Sequence, residues 1–93
     1  MRRRLQIVEV LWDDITGHGP NWMSIDDIGN CTHAKCRTTG YLWAKGDNLR
    51  IVGSLIGSDR TCSDVTVIPQ GVVRELRVLA TVTVEFPNPQ AEK

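Results

Sequence analysis

The sequence predicts a mainly β fold, in the form of a small, strongly bent barrel of five or six strands with one short helix. Several short segments alternate apolar and polar residues with a period of two, which is the pattern of pleated strands. Turn-forming residues separate these segments, and only one segment carries a helix start signal. The 93 residues suffice for one domain, which we expect to span 1–86, with a flexible tail over 87–93.

The clearest of these segments, residues 36–56, predicts a β-hairpin. In its first half, small side chains alternate with larger ones, so the two kinds face opposite sides of the strand. The turn lies at residues 45–48, KGDN, which is rich in residues that tolerate positive φ. Alternation resumes over residues 49–56. The larger side chains that share one face of the first strand are Arg37, Thr39, Tyr41 and Trp43.

The chain before the hairpin predicts a strand, a loop and a short helix. Residues 5–14 are apolar on much of both faces, so we expect this strand to be covered on both sides. Residues 16–21, TGHGPN, are dense in structure breakers and predict a loop. Ser24 is a favourable N-cap with Asp27 at the third helical position, and Gly29 should end the helix within two turns.

The chain after the hairpin predicts a loop followed by further strands. Residues 57–64 predict a polar surface loop. Residues 65–71 predict a strand that Pro69 ends, because proline cannot donate to a ladder, and then one turn of 3₁₀ type. Residues 72–86 predict a long last strand, or two strands joined by a bend, that ends before Pro87. Five or so short strands with one small helix are typical of SH3-like or Sm-like barrels.

The charge balance argues against a general binder of long nucleic acids. The 11 basic and 11 acidic side chains cancel to a net charge of zero, whereas such binders neutralise many phosphates. The charges are unevenly distributed, because residues 5–34 hold acids but no lysine or arginine, whereas residues 35–60 are basic on balance. We expect a homo-oligomer in which these two regions meet, because so small a β domain has a marginal core.

The composition of the sequence also predicts the cellular compartment of the protein. No apolar run approaches the roughly 20 residues of a membrane span, so we expect a soluble, cytosolic protein without a membrane partner. The basic start, Arg2 to Arg4, should be solvated. Three cysteines cannot all pair within one chain, and an odd count is typical of a reducing compartment. We therefore expect free thiols.

The polar residues show no catalytic or metal-binding signature. The potential zinc ligands are Cys31, His33, Cys36 and Cys62. Their spacing is not that of a paired Cys-x-x-Cys site, so packed or exposed thiols are the favoured interpretation. Neither Asp13-Asp14 nor Asp26-Asp27 has the spacing of a calcium loop, and capping and solvation account better for both pairs. With no nucleophile signature and no Gly-rich phosphate loop, we expect no metal, no cofactor and no enzyme.

Aromatic and basic residues are the candidates for a binding site. Trp22 follows a loop and could cover a ligand, although plain core packing is equally open. If the face that carries Tyr41 and Trp43 is exterior, it offers a platform for stacking bases, with Arg37 to hold phosphate. The alternative is that this face packs beneath the helix or in a subunit contact. Arg60 lies in the predicted polar loop and should be exposed.

Three segments of the chain together resemble a group of small proteins encoded by bacteriophages. The segments are Trp12-x-Asp14, Cys36-x-Thr38-x-Gly40-Tyr41-Leu42 and Val67-Ile68-Pro69-x-x-Val72-x-x-x-Leu76. They span most of the chain, from residue 11 to residue 79. The resemblance implies a compact SH3-like or Sm-like β protein of viral origin that acts in the host cytoplasm.

The function that this resemblance implies is the non-enzymatic sequestration of a nucleotide-derived immune signal, which would counteract the anti-phage defence of the host. The ligand would be a small anionic nucleotide, with bases stacked on aromatic rings and phosphates held by arginines. The alternative is an adaptor or inhibitor that binds a host protein through the barrel surface. The predicted ligand-binding residues are Trp12, Trp22, Arg37, Tyr41, Trp43 and Arg60.

Overall fold

A computed structural model describes residues 1–17, 19–20 and 22–87 and shows a mainly β protein. The strands are β1 (Arg2–Asp14), β2 (Ala34–Lys45), β3 (Asn48–Ile56), β4 (Thr61–Pro69) and β5 (Val73–Glu85). Two short 3₁₀ helices lie at Ile25–Asn30 and Gln70–Val72. All five strands form a single antiparallel sheet in the order β4-β3-β2-β1-β5.

The sheet is open. β4 and β5 are its outer strands, and no ladder joins them within the described residues. The prediction of a mainly β protein with five strands is therefore confirmed. Closure into a barrel and an SH3-like or Sm-like arrangement are not confirmed, because strand alternation fixes which residues share a face but not which outer strands meet.

The predicted hairpin is formed by β2 and β3, with the turn at Gly46 and Asp47. The register between the two strands shifts between Leu42 and Ala44, so Trp43 lies at a β-bulge. A bulge changes the direction of the side chains around it. The prediction that Trp43 simply continues the face of Tyr41 therefore does not describe this strand.

β2 and β3 pair over only part of their lengths. The ladder between β2 and β3 begins beside the turn and ends where Tyr41 lies opposite Val52. The ladder between β3 and β4 continues further, to Ile56 opposite Thr61. The two-stranded ribbon of β3 and β4 therefore leaves β2 after Val52. Over residues 34–40, β2 pairs with β1 alone in the described part of the chain.

The tip of the β3–β4 ribbon reaches the end of β5. A Cβ atom added at Gly57 would lie 2.7 Å from the carbonyl oxygen of Glu85, so only glycine allows the two backbones to approach this closely. Arg60 Nη1 donates a hydrogen bond to the carbonyl oxygen of Pro87 at 3.1 Å. The outer parts of the sheet thus meet at one end without forming a ladder.

The polar loop between β3 and β4 is shorter than the predicted 57–64. β4 already begins at Thr61, whose backbone N–H donates to Asp59 Oδ1 at 3.1 Å. Arg60 and Asp64 adopt positive φ angles of 59° and 57°, which are uncommon for residues other than glycine. β4 ends at Pro69 and the 3₁₀ turn follows, as predicted.

The hydrophobic core joins strands that are not neighbours in the sheet. Its buried members are Val8, Val10, Leu49, Ile51 and Ile68. Since β1 and β3 lie on opposite sides of β2, this contact requires the sheet to fold over β2. Gly40 of β2 permits the fold, because a Cβ atom there would lie 2.7 Å from both Ile51 Cγ2 and the carbonyl oxygen of Val52.

β5 is one continuous strand, which was one of the two predicted alternatives. Its register with β1 shifts between Ile7 and Val8, and such irregularities bend a strand. Beyond β5, the N–H of Phe86 donates to the carbonyl of Met1 at 2.8 Å, and its carbonyl accepts from the Met1 ammonium at 2.9 Å. Of the predicted tail, Pro87 is described and residues 88–93 lie outside the described residues.

The predicted short helix is present as a 3₁₀ helix. Ser24 Oγ accepts a hydrogen bond from the N–H of Asp26 at 3.2 Å, as expected of an N-cap. Every residue from Trp22 to Asn30 is exposed. We call residues 22–30 the arm.

Candidate ligand-binding clefts

The first candidate site lies where the β3–β4 ribbon meets the end of β5, and we call it the Trp43 cleft. Its volume is about 190 Å³. Most of its wall is apolar, formed by Trp43, Val52, Leu55, Val65 and Phe86. Its polar lining residues are Arg50, Arg60, Thr61 and Cys62. The cleft exists because the ribbon leaves β2 after Val52 and approaches β5 instead.

The two aromatic rings of this cleft contact each other, and each is also contacted by a guanidinium group. The rings of Trp43 and Phe86 meet edge to face, with centroids 5.9 Å apart and planes at 84°. The Cζ atom of Arg3 lies 3.9 Å from the centroid of the Trp43 ring, and that of Arg60 lies 5.8 Å from the Phe86 ring. Cation–π attraction therefore holds both arginines against the aromatic pair.

Two of the lining cations have no carboxylate partner in the part of the chain that the structure describes. Arg50 and Arg60 are both exposed, and neither forms an ion pair with any described residue. The hydrogen bond that Arg60 donates to Pro87 uses one of its five N–H groups. Both guanidinium groups can therefore donate to an anion at the mouth of the cleft.

The second candidate site, which we call the Trp12 cleft, lies beside the paired ends of β1 and β2. Its volume is about 210 Å³, and it is lined by Leu11, Trp12, Lys35, Cys36, Arg37 and Arg74. Trp12 Nε1 donates to Thr38 Oγ1 at 2.9 Å, which fixes the indole. Arg37 lies 3.7 Å from Glu9, whereas Lys35 has no ion pair within the described residues. Three cationic side chains thus surround this cleft.

Asp13 contacts both Arg74 and His33 at the edge of the Trp12 cleft. Its carboxylate accepts from Arg74 Nε at 2.6 and 2.7 Å and lies 3.1 Å from His33 Nε2. Burial by itself raises the pKa of Asp13, but the hydrogen bonds and charges of Arg74 and His33 outweigh it and lower the pKa below its ordinary value. The prediction that capping and solvation account for Asp13 is therefore wrong. Asp14 does accept locally, from the N–H of Ile15 at 2.9 Å.

The predicted ligand-binding residues do not form one site in the structure. Trp43 and Arg60 line the Trp43 cleft, and Trp12 and Arg37 line the Trp12 cleft. Tyr41 is half-buried and Trp22 is fully exposed, and neither lines either cleft. Arg37 and Trp43 are six residues apart on one strand, or roughly 20 Å at the usual rise per residue. The predicted common platform of Arg37, Tyr41 and Trp43 is therefore not formed.

Several lining residues were not among the predicted site residues. Phe86 is predicted only to end the last strand, because its place in the cleft depends on backbone hydrogen bonds with Met1 that no local pattern records. Arg50 alternates with buried residues on β3, which indicates an exposed cation on the opposite face. Lys35 and Arg74 come from strands that are distant in sequence, so no local pattern brings them together.

The cysteines are unpaired and lie apart from one another. Cys31 Sγ lies 3.9 Å from the carbonyl oxygen of Asp27, Cys36 lines the Trp12 cleft, and Cys62 lines the Trp43 cleft. Among the described residues, no three His, Cys, Asp or Glu side chains are grouped as metal ligands. In the same part of the chain, no helix has the length and apolar character needed to cross a membrane.

Comparisons with known protein families, with curated proteins and with solved structures find no match to this chain.

Proposed function

We propose that this chain is a non-enzymatic binding protein that holds a small anionic ligand of nucleotide type in the Trp43 cleft and thereby sequesters it. The observation that carries the proposal is the combination of an apolar, aromatic wall with Arg50 and Arg60, two exposed guanidinium groups that have no carboxylate partner among the described residues. A nucleotide has the matching parts, which are a planar ring and a phosphate.

The apolar part of the cleft suits one ring system. Pockets that enclose drug-sized ligands usually have volumes of roughly 300 to 1,000 Å³, and this cleft has about 190 Å³. We therefore expect one base to enter between the Trp43–Phe86 pair and Val65, while the rest of the ligand stays at the surface. A base stacked on an aromatic side chain contributes about 1–3 kcal/mol.

The cations at the mouth suit a phosphate. A guanidinium group can donate two parallel hydrogen bonds to a phosphate, and such charge-assisted bonds are about twice as strong as neutral ones. Because the whole chain carries no net charge, attraction comes from these local groups. This favours a short anion over a long nucleic acid.

The chemistry of the lining supports binding rather than turnover. Among the described residues that line the Trp43 cleft there is no carboxylate and no histidine, so none of these residues is an evident general base at neutral pH. Sequestration of an immune signal, a viral origin and action in the host cytoplasm are supported by the resemblance to small bacteriophage proteins alone.

Calorimetric titration tests the proposal. We expect heat of binding with at least one member of a panel of cyclic mononucleotides, cyclic dinucleotides and adenosine-diphosphate-ribose derivatives. Arg50→Ala should weaken that binding by roughly tenfold, about 1.4 kcal/mol. The matched control is Arg4→Ala, which removes an exposed arginine outside the cleft and should leave the affinity unchanged. Absence of heat with the whole panel, or equal affinity of Arg50→Ala and the unchanged protein, would overturn the proposal.

An adaptor or inhibitor that binds a host protein is the second candidate, and the open edge of β2 favours it. Residues 34–40 of β2 have a strand partner on one side only in the described chain, and an extended peptide can add to such an edge. A stoichiometric host partner whose binding is lost on Thr39→Pro, with no nucleotide bound, would favour this candidate.

An opened SH3-like or Sm-like architecture is also part of the proposal. It is supported by the contact of the β3–β4 tip with the end of β5, at Gly57 and Glu85. Nuclear Overhauser effects between backbone protons of β4 and β5 in solution test this part of the proposal, since a closed barrel would give them and outer strands that stay apart would not.

A further inference from the structure

The arm exposes apolar side chains that do not pack against the described part of their own chain. Trp22 is 102% exposed, Ile25 82% and Ile28 57%. The segment is nevertheless ordered by local hydrogen bonds, because Asp27 N–H donates to Ser24 O and Cys31 N–H donates to Ile28 O, both at 3.0 Å. Apolar residues that cluster on an ordered exposed segment mark an interaction surface.

The Trp12 cleft is lined by positively charged side chains, whereas the arm carries only negatively charged ones. The arm carries Asp26 and Asp27 and no lysine or arginine. Around the side chains of Leu11 and Trp12, the cleft presents Lys35 together with two further cations. These are Arg37 and Arg74, which pair with Glu9 and Asp13. An acidic and apolar segment therefore matches a cationic and apolar cleft, with Lys35 available because no described carboxylate pairs with it.

The arm and the Trp12 cleft also lie at the same end of the molecule. The arm belongs to the connection from the end of β1 to the start of β2, and the cleft is built from the last residues of β1 and the first residues of β2. A two-fold axis placed at this end brings each arm to the cleft of the other copy, which is an isologous contact.

We infer that the arm of one chain docks in the Trp12 cleft of a second copy, with Trp22, Ile25 and Ile28 on its apolar wall and Asp26 and Asp27 against its cations, so that the protein is an arm-exchanged homodimer. The Trp43 cleft uses other residues and stays open in this dimer. The inference therefore does not depend on the proposed ligand.

Size-exclusion chromatography with light scattering of the full chain tests the inference. We expect a mass of twice the 10.4 kDa of one chain at micromolar concentration. Ile25→Asp with Ile28→Asp should give a monomer with unchanged circular dichroism, because both side chains are exposed and no described contact holds them. Leu79→Asp, at a 56% exposed apolar position of β5 outside the arm, is the matched control and should remain a dimer.

Charge reversal tests the pairing of the arm with this particular cleft. Asp27→Lys and Lys35→Glu should each raise the dimer dissociation constant about tenfold or more, and the two changes together should restore it. A wild-type monomer, a dimer that survives both Ile→Asp changes, or reversals that only add to each other would overturn the inference. Loss of the dimer in Leu79→Asp alone would instead assign the interface to the edge of β5.

Discussion

The guanidinium of Arg3 lies over the indole of Trp43, with its Cζ 3.9 Å from the ring centroid, and Nη2 donates to the Trp43 carbonyl at 2.7 Å. The prediction that Arg2, Arg3 and Arg4 are all solvated is thus wrong for Arg3, which is half-buried. Arg2 is exposed as predicted, although its Nε donates to Glu85 Oε1 at 2.7 Å. Only Arg4 is exposed without a described partner. The start of β1 thereby orients a wall of the Trp43 cleft.

We expect Arg3→Ala to lower the free energy of unfolding by about 1–2 kcal/mol, since it removes a cation–π contact and a hydrogen bond to a backbone carbonyl. For a domain of this size, each kcal/mol corresponds to about 4–8 °C in the thermal midpoint. Thermal denaturation followed by circular dichroism measures the shift. Arg4→Ala is the control, and an equal effect of the two changes would show that the Arg3–Trp43 contact contributes nothing specific.

Gly40→Ala should be among the most destabilising single changes in the sheet. The added methyl group would lie 2.7 Å from Ile51 Cγ2 and from the Val52 carbonyl oxygen, and a backbone oxygen in a paired strand cannot move aside cheaply. We expect a loss of about 2 kcal/mol or more, measured by urea denaturation. Gly46→Ala, where nothing lies within 4 Å, should be close to neutral, and equal losses at both sites would contradict the close packing of β3 on β2.

Stability should depend on pH through Asp13. Arg74 and His33 lower the pKa of its carboxyl below the ordinary 3.8, against the opposing effect of burial. A depressed pKa stabilises the folded protein above the ordinary value, and this contribution disappears as the pH falls through the folded-state pKa. The thermal midpoint of Asp13→Asn should therefore lie below that of the wild type at neutral pH, and the gap should close below about pH 4. Asp47→Asn, at an exposed turn position, is the matched control and should leave the thermal midpoint at neutral pH unchanged.

Cys62 should report occupancy of the Trp43 cleft. Its thiol is exposed and lines the cleft, so a thiol reagent such as an aromatic disulfide should modify it readily in the free protein. A ligand in the cleft should slow this modification in proportion to occupancy. The Cys62→Ser variant identifies which kinetic phase belongs to Cys62. A binding nucleotide that leaves the rate of this phase unchanged would place its site elsewhere.

Local patterns were sufficient to predict most of the strands and turns. The alternation in β2 and β3 and the residues of the 45–48 turn act within a few positions, so the hairpin follows from the sequence alone. Pro69 ends β4, and Ser24 caps the short helix, for equally local reasons. These predictions are confirmed because each depends on the geometry of neighbouring residues and not on the rest of the fold.

The arrangement of the clefts depends on contacts that no local pattern records. Trp43 meets Phe86 only because the β3–β4 ribbon leaves β2 and because Met1 holds Phe86 in place. The bulge at Trp43 is likewise set by the register of two strands and not by the alternation of one. The sequence therefore predicts suitable residue types, such as Trp43 and Arg60, but not which of them share a cleft.

The position of β1 between β2 and β5 has a consequence for folding during synthesis. β1 can pair with β2 early, but its other edge is completed only by β5, in a register that sets Arg2 opposite Glu85. Until the ribosome has made β5, the edge of β1 that will pair with β5 stays unpaired. Pairing across so long a separation is slow, and the unpaired edge is exposed to aggregation meanwhile. Slower growth at low temperature should therefore raise the fraction of the protein that is recovered in soluble form.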